Sequence, residues 1–404
     1  VLQAERRCRG DRVAAAAVAA AAAVLVAVVY LVSPARQTTS VTYAGPPPAV
    51  PAPPAEVPAT LTEAWRAPSA ATDVPVTVGP TVVTADGSSV IGRAPLRGIQ
   101  RWLYRRDLPL CTVGAAWDMA LAVYAHDGYC SEVTALRAVT GARGPQRNSD
   151  VRPGTRLVGD GDLVTATGPR HLETWRSDLV KTLDYGVLRA PTQPKTQPRP
   201  GCQHASVAVS EGRLGVLERC PGDPGDRLTV LNPDGVDPDR PEVDFSAVLP
   251  ARGARLVALS ADREAVLLPA PPRLSVRGPE GTELAAYPLD LPPGDVAGDP
   301  PGELAATSRI PGQILWWTGS RTIALDAGDL RPLWTLPGAL GPGTLMADEP
   351  VLPVPGGVVV VNPADGAPIK RVPVDRGGWT GPVTQAALGP VLLEQRGPTV
   401  VALH

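Results

Sequence analysis

The chain has 404 residues, a net charge of −2, 44% hydrophobic and 4% aromatic residues, and 48 Pro with 41 Gly. That charge balance excludes the basic excess of a nucleic-acid binder, and a helix breaker at roughly every fifth position excludes long helices over most of the chain. A β-rich protein with many turns and enough apolar residues for a sizeable core is what remains.

The N-terminal segment stands apart. Residues 1–12 carry Arg6, Arg7, Arg9 and Arg12 against Glu5 and Asp11, and residues 13–32 form an uncharged apolar run. Twenty helical residues rise about 30 Å, the thickness of the bilayer hydrocarbon. The positive-inside rule then places 1–12 in the cytoplasm and everything after Val32 outside, as in a single-pass protein of the plasma membrane. A cleaved signal peptide is the alternative, with Ser33-Pro34-Ala35 supplying small residues, but its apolar stretch is ordinarily about 7–15 residues. Cys8 is expected as a reduced cytosolic thiol or a lipidation site. Residues 33–60, with Pro46-Pro47-Pro48 and Pro53-Pro54, read as a semi-rigid extended spacer that lifts a domain off the membrane.

From Leu61 onward, short β-like runs such as Pro80–Thr84, Leu121–Tyr124, Leu228–Leu231 and Val358–Val361 alternate with turn signals such as Asp86-Gly87, Asp234-Gly235 and Asp365-Gly366. This punctuation points to a sandwich, barrel or propeller, and the period decides among them. Counting Ala324 as position one, Asp326 is position 3 and Trp334 position 11. Gly92, Gly98 and Trp102 fall at 1, 7 and 11; Ala135, Thr140 and Gly141 at 1, 6 and 7; Asn362, Asp365 and Gly366 at 3, 6 and 7. These registers resemble the A-x-D-x-x-T-G-x-x-x-W repeat of the PQQ-like (quinoprotein-type) β-propellers, over roughly residues 61–404. The resemblance implies that Ala324, Asp326, Trp334, Trp102 and Trp65 take part in blade docking and that the Thr-Gly pair turns the outer hairpin.

Laid along the chain, the repeat gives blades near 74–109, 111–150, 151–190, 201–250, 252–292, 303–338 and 341–377. Residues 380–404 supply three more strands, and Thr62–Arg66 is a spare strand that completes them. An eight-bladed ring with no open edge is therefore expected; seven blades follow if 61–97 is linker.

Cys111/Cys130 and Cys202/Cys220 are separated by 19 and 18 residues, each pair opening a blade and following its second strand. Matched placement in two repeats favours pairing within blades over the other connectivities, consistent with export. Metal binding is the competing reading, and these spacings lack its C-x-x-C signature.

Chemistry is harder to find. A quinoprotein dehydrogenase needs calcium-binding oxygens, an aspartate base and planar walls for the quinone. Asn occurs only at 148, 232 and 362, two of them at the turn position of the repeat, and no Cys-Cys is present. No cofactor and no metal are therefore expected. His171 and Glu173 share a strand face as two possible metal ligands but read as paired or solvent-exposed side chains, and Asp160-Gly161-Asp162 and Asp223–Asp226 read as turns, lacking the ordered calcium-loop progression. Arg170, Trp175, Arg176 and Arg189 form the candidate partner patch. The expectation is a non-catalytic, membrane-anchored propeller that binds an envelope protein partner or scaffolds assembly, similar to the outer-membrane assembly members of that family. The alternatives are a divergent PQQ-dependent oxidoreductase and a carbohydrate or cell-wall binding module.

Overall fold

Eight antiparallel sheets follow one another along the chain, each a meander of four strands, and together they form an eight-bladed β-propeller. The structure, a computed structural model, describes residues 9–32, 36–193, 195–297 and 304–404; Cys8 and the Ser33-Pro34-Ala35 segment lie outside these. Blades 1 to 7 span 76–105, 110–148, 157–186, 203–248, 255–288, 306–337 and 344–373, and blade 8 joins 384–403 to Glu63–Pro68. In that last blade Trp65 pairs with Ala402 and Pro68 with Thr399, so the closing strand comes from the other end of the domain. Eight blades, rather than seven, result because the segment around Trp65 is strand.

The meander gives the ring two unlike faces. Strand 1 of each blade starts on one face and strand 3 starts there too. That face carries the blade-to-blade crossovers and the 2–3 turns, and is called the crossover face. The opposite hairpin face carries the 1–2 and 3–4 turns. Middle strands are buried on both sides because each blade packs between two others: all five residues of Gly357–Val361 are buried, as are the first five of Thr81–Asp86. Runs of β-branched and aliphatic residues, without alternation, are what such a position selects.

On the hairpin face the repeat residues lock neighbouring blades. Trp102 donates through Nε1 to Ala138 O at 2.8 Å, in the outer hairpin of the next blade, and Trp65 and Trp334 reach Pro95 O and Pro363 O in the same way at 2.7 and 2.9 Å. Each ring lies flush on the glycine of that hairpin. A Cβ on Gly141 would come within 2.6 Å of Trp102, and one on Gly366 within 2.7 Å of Trp334. Both glycines also have φ near +70°, so that conformation and space demand the same residue. Behind the ring a small residue is needed: Ala324 pairs with Trp334, and Gly92 with Trp102. Asp326 accepts from the backbone N–H groups of Gly328 and Asp329 at 2.9 and 3.0 Å, an Asx turn, and Asn362 does likewise for Ala364.

One expectation needs correction. The stretch read as a free spacer is largely packed on the ring. Thr39–Val41 adds a fifth strand to blade 1, antiparallel to 103–105. Tyr43 N donates to Thr140 O of blade 2, Pro51 lies against Gly389 of blade 8, and the fully buried Val57 accepts from Lys370 Nζ through its carbonyl. The prolines that suggested a stalk suit this strap, since a residue without an N–H loses nothing by crossing a surface outside the sheet. The N-terminal helix, Arg9–Val32, has a mean hydropathy of 2.5 over its window and is long and apolar enough to cross a membrane.

Candidate functional site

Both disulfides staple the crossover face. Cys111–Cys130 and Cys202–Cys220 each tie the start of a blade to its 2–3 turn, in blades 2 and 4. Their sulfurs are consumed in this way, so the nearby Glu218 cannot recruit them as metal ligands. It is instead tied to Tyr185 Oη, Arg199 Nε and Thr229 Oγ1.

Between the two staples lies a groove built from two adjoining pockets. The first, about 330 Å³, is lined by Tyr129, Asp150, Arg152, Arg170, His171 and Arg189, among others. The guanidinium carbons of Arg152 and Arg189 stand 4.9 and 4.7 Å from the Tyr129 ring centroid, a cation–π arrangement that holds two long side chains in place. Asp150 is 3.6 Å from Arg189. The second pocket, about 410 Å³, is lined by Arg170, Gln203, Arg219 and Arg252 with the turn at Cys220–Gly222. Arg170 is common to both, and no acidic side chain pairs with it among the described residues. Arg219 is committed to Asp226 at 3.0 Å, and Arg252 donates to Asp223 O. The groove thus presents an excess of guanidinium over carboxylate, in a fork geometry suited to carboxylate or phosphate oxygens.

The floor of the groove is a buried polar ladder. His171 and Glu173 face the same way on the third strand of blade 3, with Asp184 opposite on the fourth. Asp184 bonds His171 Nε2 and Lys181 Nζ; burial alone would raise its pKa, but these two partners hold it below the usual carboxylate range. Glu173 accepts from Asp150 N at 2.8 Å and Trp175 Nε1 at 2.9 Å. The three acid and imidazole groups are close enough to bind a metal, but the Lys181 ammonium already supplies the cation that Asp184 needs. Beneath Gly168, His204 stacks on Tyr185 at 5.5 Å and bonds Gly168 O at 3.0 Å. Burial pushes its pKa down to about 4.

The four-residue patch expected from sequence is divided by the fold. Arg170 and Arg189 meet in the groove. Trp175 is wholly buried in the core between blades 2 and 3, and Arg176 lies at the hairpin-face end of that strand, bonded to Asp178 at 2.9 Å. Tyr129, Arg152, Arg219 and Arg252 were not foreseen. Proximity to cysteine was the available signal, because Tyr129 and Arg219 directly precede Cys130 and Cys220. In the expected turns at Asp160–Asp162 and Asp223–Asp226 three carboxylates are engaged: Asp160 by Leu163 N and Gly212 N, Asp223 by Arg227, and Asp226 by Arg219 and Ala254 N.

The central channel encloses about 570 Å³ and is lined by the innermost strands, chiefly Val, Ala and Thr. Among the described residues its one lining carboxylate, Asp73, is 3.3 Å from Arg156, and no aromatic ring lines it. These described walls lack the cluster of carboxylate oxygens and the planar rings that a quinone held by calcium needs.

No known family model matches the sequence, and no curated protein sequence is similar to it. Among solved structures, the chain is similar to the computationally designed Ika8 protein (12% identity, 86% of this chain and 100% of that chain, TM-score 0.56). It is also similar to the C-terminal WD40 domain of Sif2 (7% identity, 85% and 98%, TM-score 0.54) and to BamB from Moraxella catarrhalis (12% identity, 85% and 100%, TM-score 0.49). At these identities the likeness speaks to the fold alone.

Proposed function

We propose that this protein is a non-catalytic binding scaffold, anchored in the plasma membrane by Arg9–Val32 with its propeller outside the cytoplasm, and that the arginine groove of the crossover face is its working surface. The observation that carries this reading is Arg170, which among the described residues stands without an acidic partner where two arginine-lined pockets join. The partner's contribution is an acidic protein segment: guanidinium forks bind carboxylates through paired hydrogen bonds, and a groove already held by two disulfides loses little freedom on binding. Among the described residues the channel walls supply neither a metal-ligand set nor a base directed at free space, which favours binding over catalysis.

Capture from detergent-solubilised membranes tests this, with wild type, Arg170→Glu and Arg189→Glu as parallel baits. A partner retained by wild type and lost from both variants is the expected result. Identical capture by all three would reduce the groove to a solvated edge, and quinone- and calcium-dependent dye reduction by the wild type would overturn the non-enzymatic reading.

A further inference from the structure

The path of the chain between the helix and the ring fixes which face looks at the membrane. The apolar helix ends at Val32, and Thr39 is already hydrogen-bonded into blade 1. Seven peptide steps separate them, which at full extension reach roughly 24 Å. The tether is thus far shorter than the 28 residues of 33–60 would allow. It also enters from a definite side. Thr39 pairs with Arg105, the crossover-face end of the outer strand, and Val41 pairs with Leu103, further towards the hairpin face. Gln37 and Thr38 line a small cavity with Arg106, Asp107, His126 and Glu132, all at the crossover-face edge of blades 1 and 2. From there the chain climbs the edge of blade 1 and crosses the hairpin face, meeting Thr140, Pro51's partner Gly389 and Lys370 in turn.

We infer that the crossover face is turned towards the bilayer, so that the arginine groove, on blades 2 to 4 beside the point of entry, meets an acidic segment that a membrane-embedded partner presents at the lipid surface. Tyr30 and Arg36 mark the interface on the anchor: the guanidinium carbon lies 5.4 Å from the ring centroid, both just at or beyond the end of the apolar run. Aromatic and basic residues of this kind collect at the headgroup level. The hairpin face, crossed by the strap, is left facing away. The inference rests on the anchor and on the groove as proposed above. It adds the side from which the groove is approached.

The test is made on the full chain in lipid nanodiscs, in a Cys8→Ser background so that the remaining native cysteines are oxidised. Asp127→Cys and Asp262→Cys place a fluorophore on a crossover-face turn and a hairpin-face turn, at side chains 86% and 66% exposed. Six strand residues at about 3.3 Å each separate the faces by about 20 Å, so headgroup-attached acceptors should quench the label at 127 at least about threefold more than the label at 262. A twenty-residue Gly/Ser insert between Gln37 and Thr38 should erase the difference. Equal or reversed quenching without the insert overturns the inference and leaves the groove's function standing. Recovery of the protein free of the disc overturns the anchor on which both readings rest. If the quenching at 127 needs anionic lipid and vanishes in Arg170→Glu, headgroups in the groove and not the tether set the orientation, and both the inference and the protein-partner reading fall.

Discussion

The hairpin face and the crossover face are made by the same eight meanders, yet they solve different problems. On the hairpin face the same contact recurs: an indole from one blade lies over a glycine of the next and donates to a carbonyl beside it, as for Trp65, Trp102 and Trp334. On the crossover face the contacts differ from sector to sector. Blades 2 and 4 have disulfides, blade 3 has the His171–Asp184–Lys181 ladder between them, and exposed arginines line a groove there, whereas at blade 8 Arg376 and Arg396 are buried against Glu394. Repetition holds the ring together. The departure from repetition gives the sector of blades 2 to 4 its arginine-lined groove.

Four measurements press on that contrast, and the largest effect belongs to ring closure. Deleting 63–68 strips Thr399–Leu403 of its partner and leaves a bare sheet edge, so the domain should lose its cooperative melting transition and aggregate, as read by circular dichroism and gel filtration. Next is Trp102→Ala, which removes a fully buried indole and its hydrogen bond. A loss of about 3–5 kcal/mol in a denaturant titration is expected, with the groove unaffected in whatever protein remains folded.

Acid should act on the other face, with a comparable but smaller cost. His204 is neutral in the fold, with a pKa of about 4 against the usual 6.5. The unfolded chain takes up that proton first, so its contribution is complete above about pH 6.5 and is lost as pH falls towards 4, amounting to on the order of 3 kcal/mol. His204→Gln should flatten this part of the pH–stability curve; an unchanged slope would mean that the imidazole is not confined as described. The smallest effect is on stability at the groove. Arg170→Glu and Arg189→Glu should alter the melting free energy by no more than about 0.5 kcal/mol while abolishing partner capture. Their effect divides the two faces most cleanly, because Trp102→Ala should do the opposite.

What was legible in the sequence follows the same division. The propeller, its eight blades and the closing strand could be read because the hairpin-face contacts repeat at fixed spacing, and a partial match in several copies reinforces itself. The disulfides were legible for the same reason, falling at matching places in two repeats. Of the groove only Arg170 and Arg189 were, since Tyr129, Arg152, Arg219 and Arg252 come from crossovers and strand ends of three blades and share no period. Trp175 and Arg176 were misplaced by adjacency: a segment rich in arginine and aromatic residues reads as one patch, while the strand sends Trp175 into the core and carries Arg176 to the far face. The strap was misread because a proline-rich composition describes the backbone's stiffness and says nothing about what it lies against.

The closing of blade 8 has a consequence in polymer terms. Glu63 and Leu403 are neighbours in a sheet although 340 residues separate them along the chain. Closing so long a loop costs about 3 kcal/mol more entropy than closing a ten-residue hairpin. The last seam is therefore the slowest contact to form and the first to part under thermal strain. The strap lessens that weakness. With Pro51 against Gly389 and with Val57 and Leu61 in the core that blades 7 and 8 share, the closing strand stays within a few residues of its place when the seam opens. Reclosure then becomes a local search instead of one over the whole length of the chain.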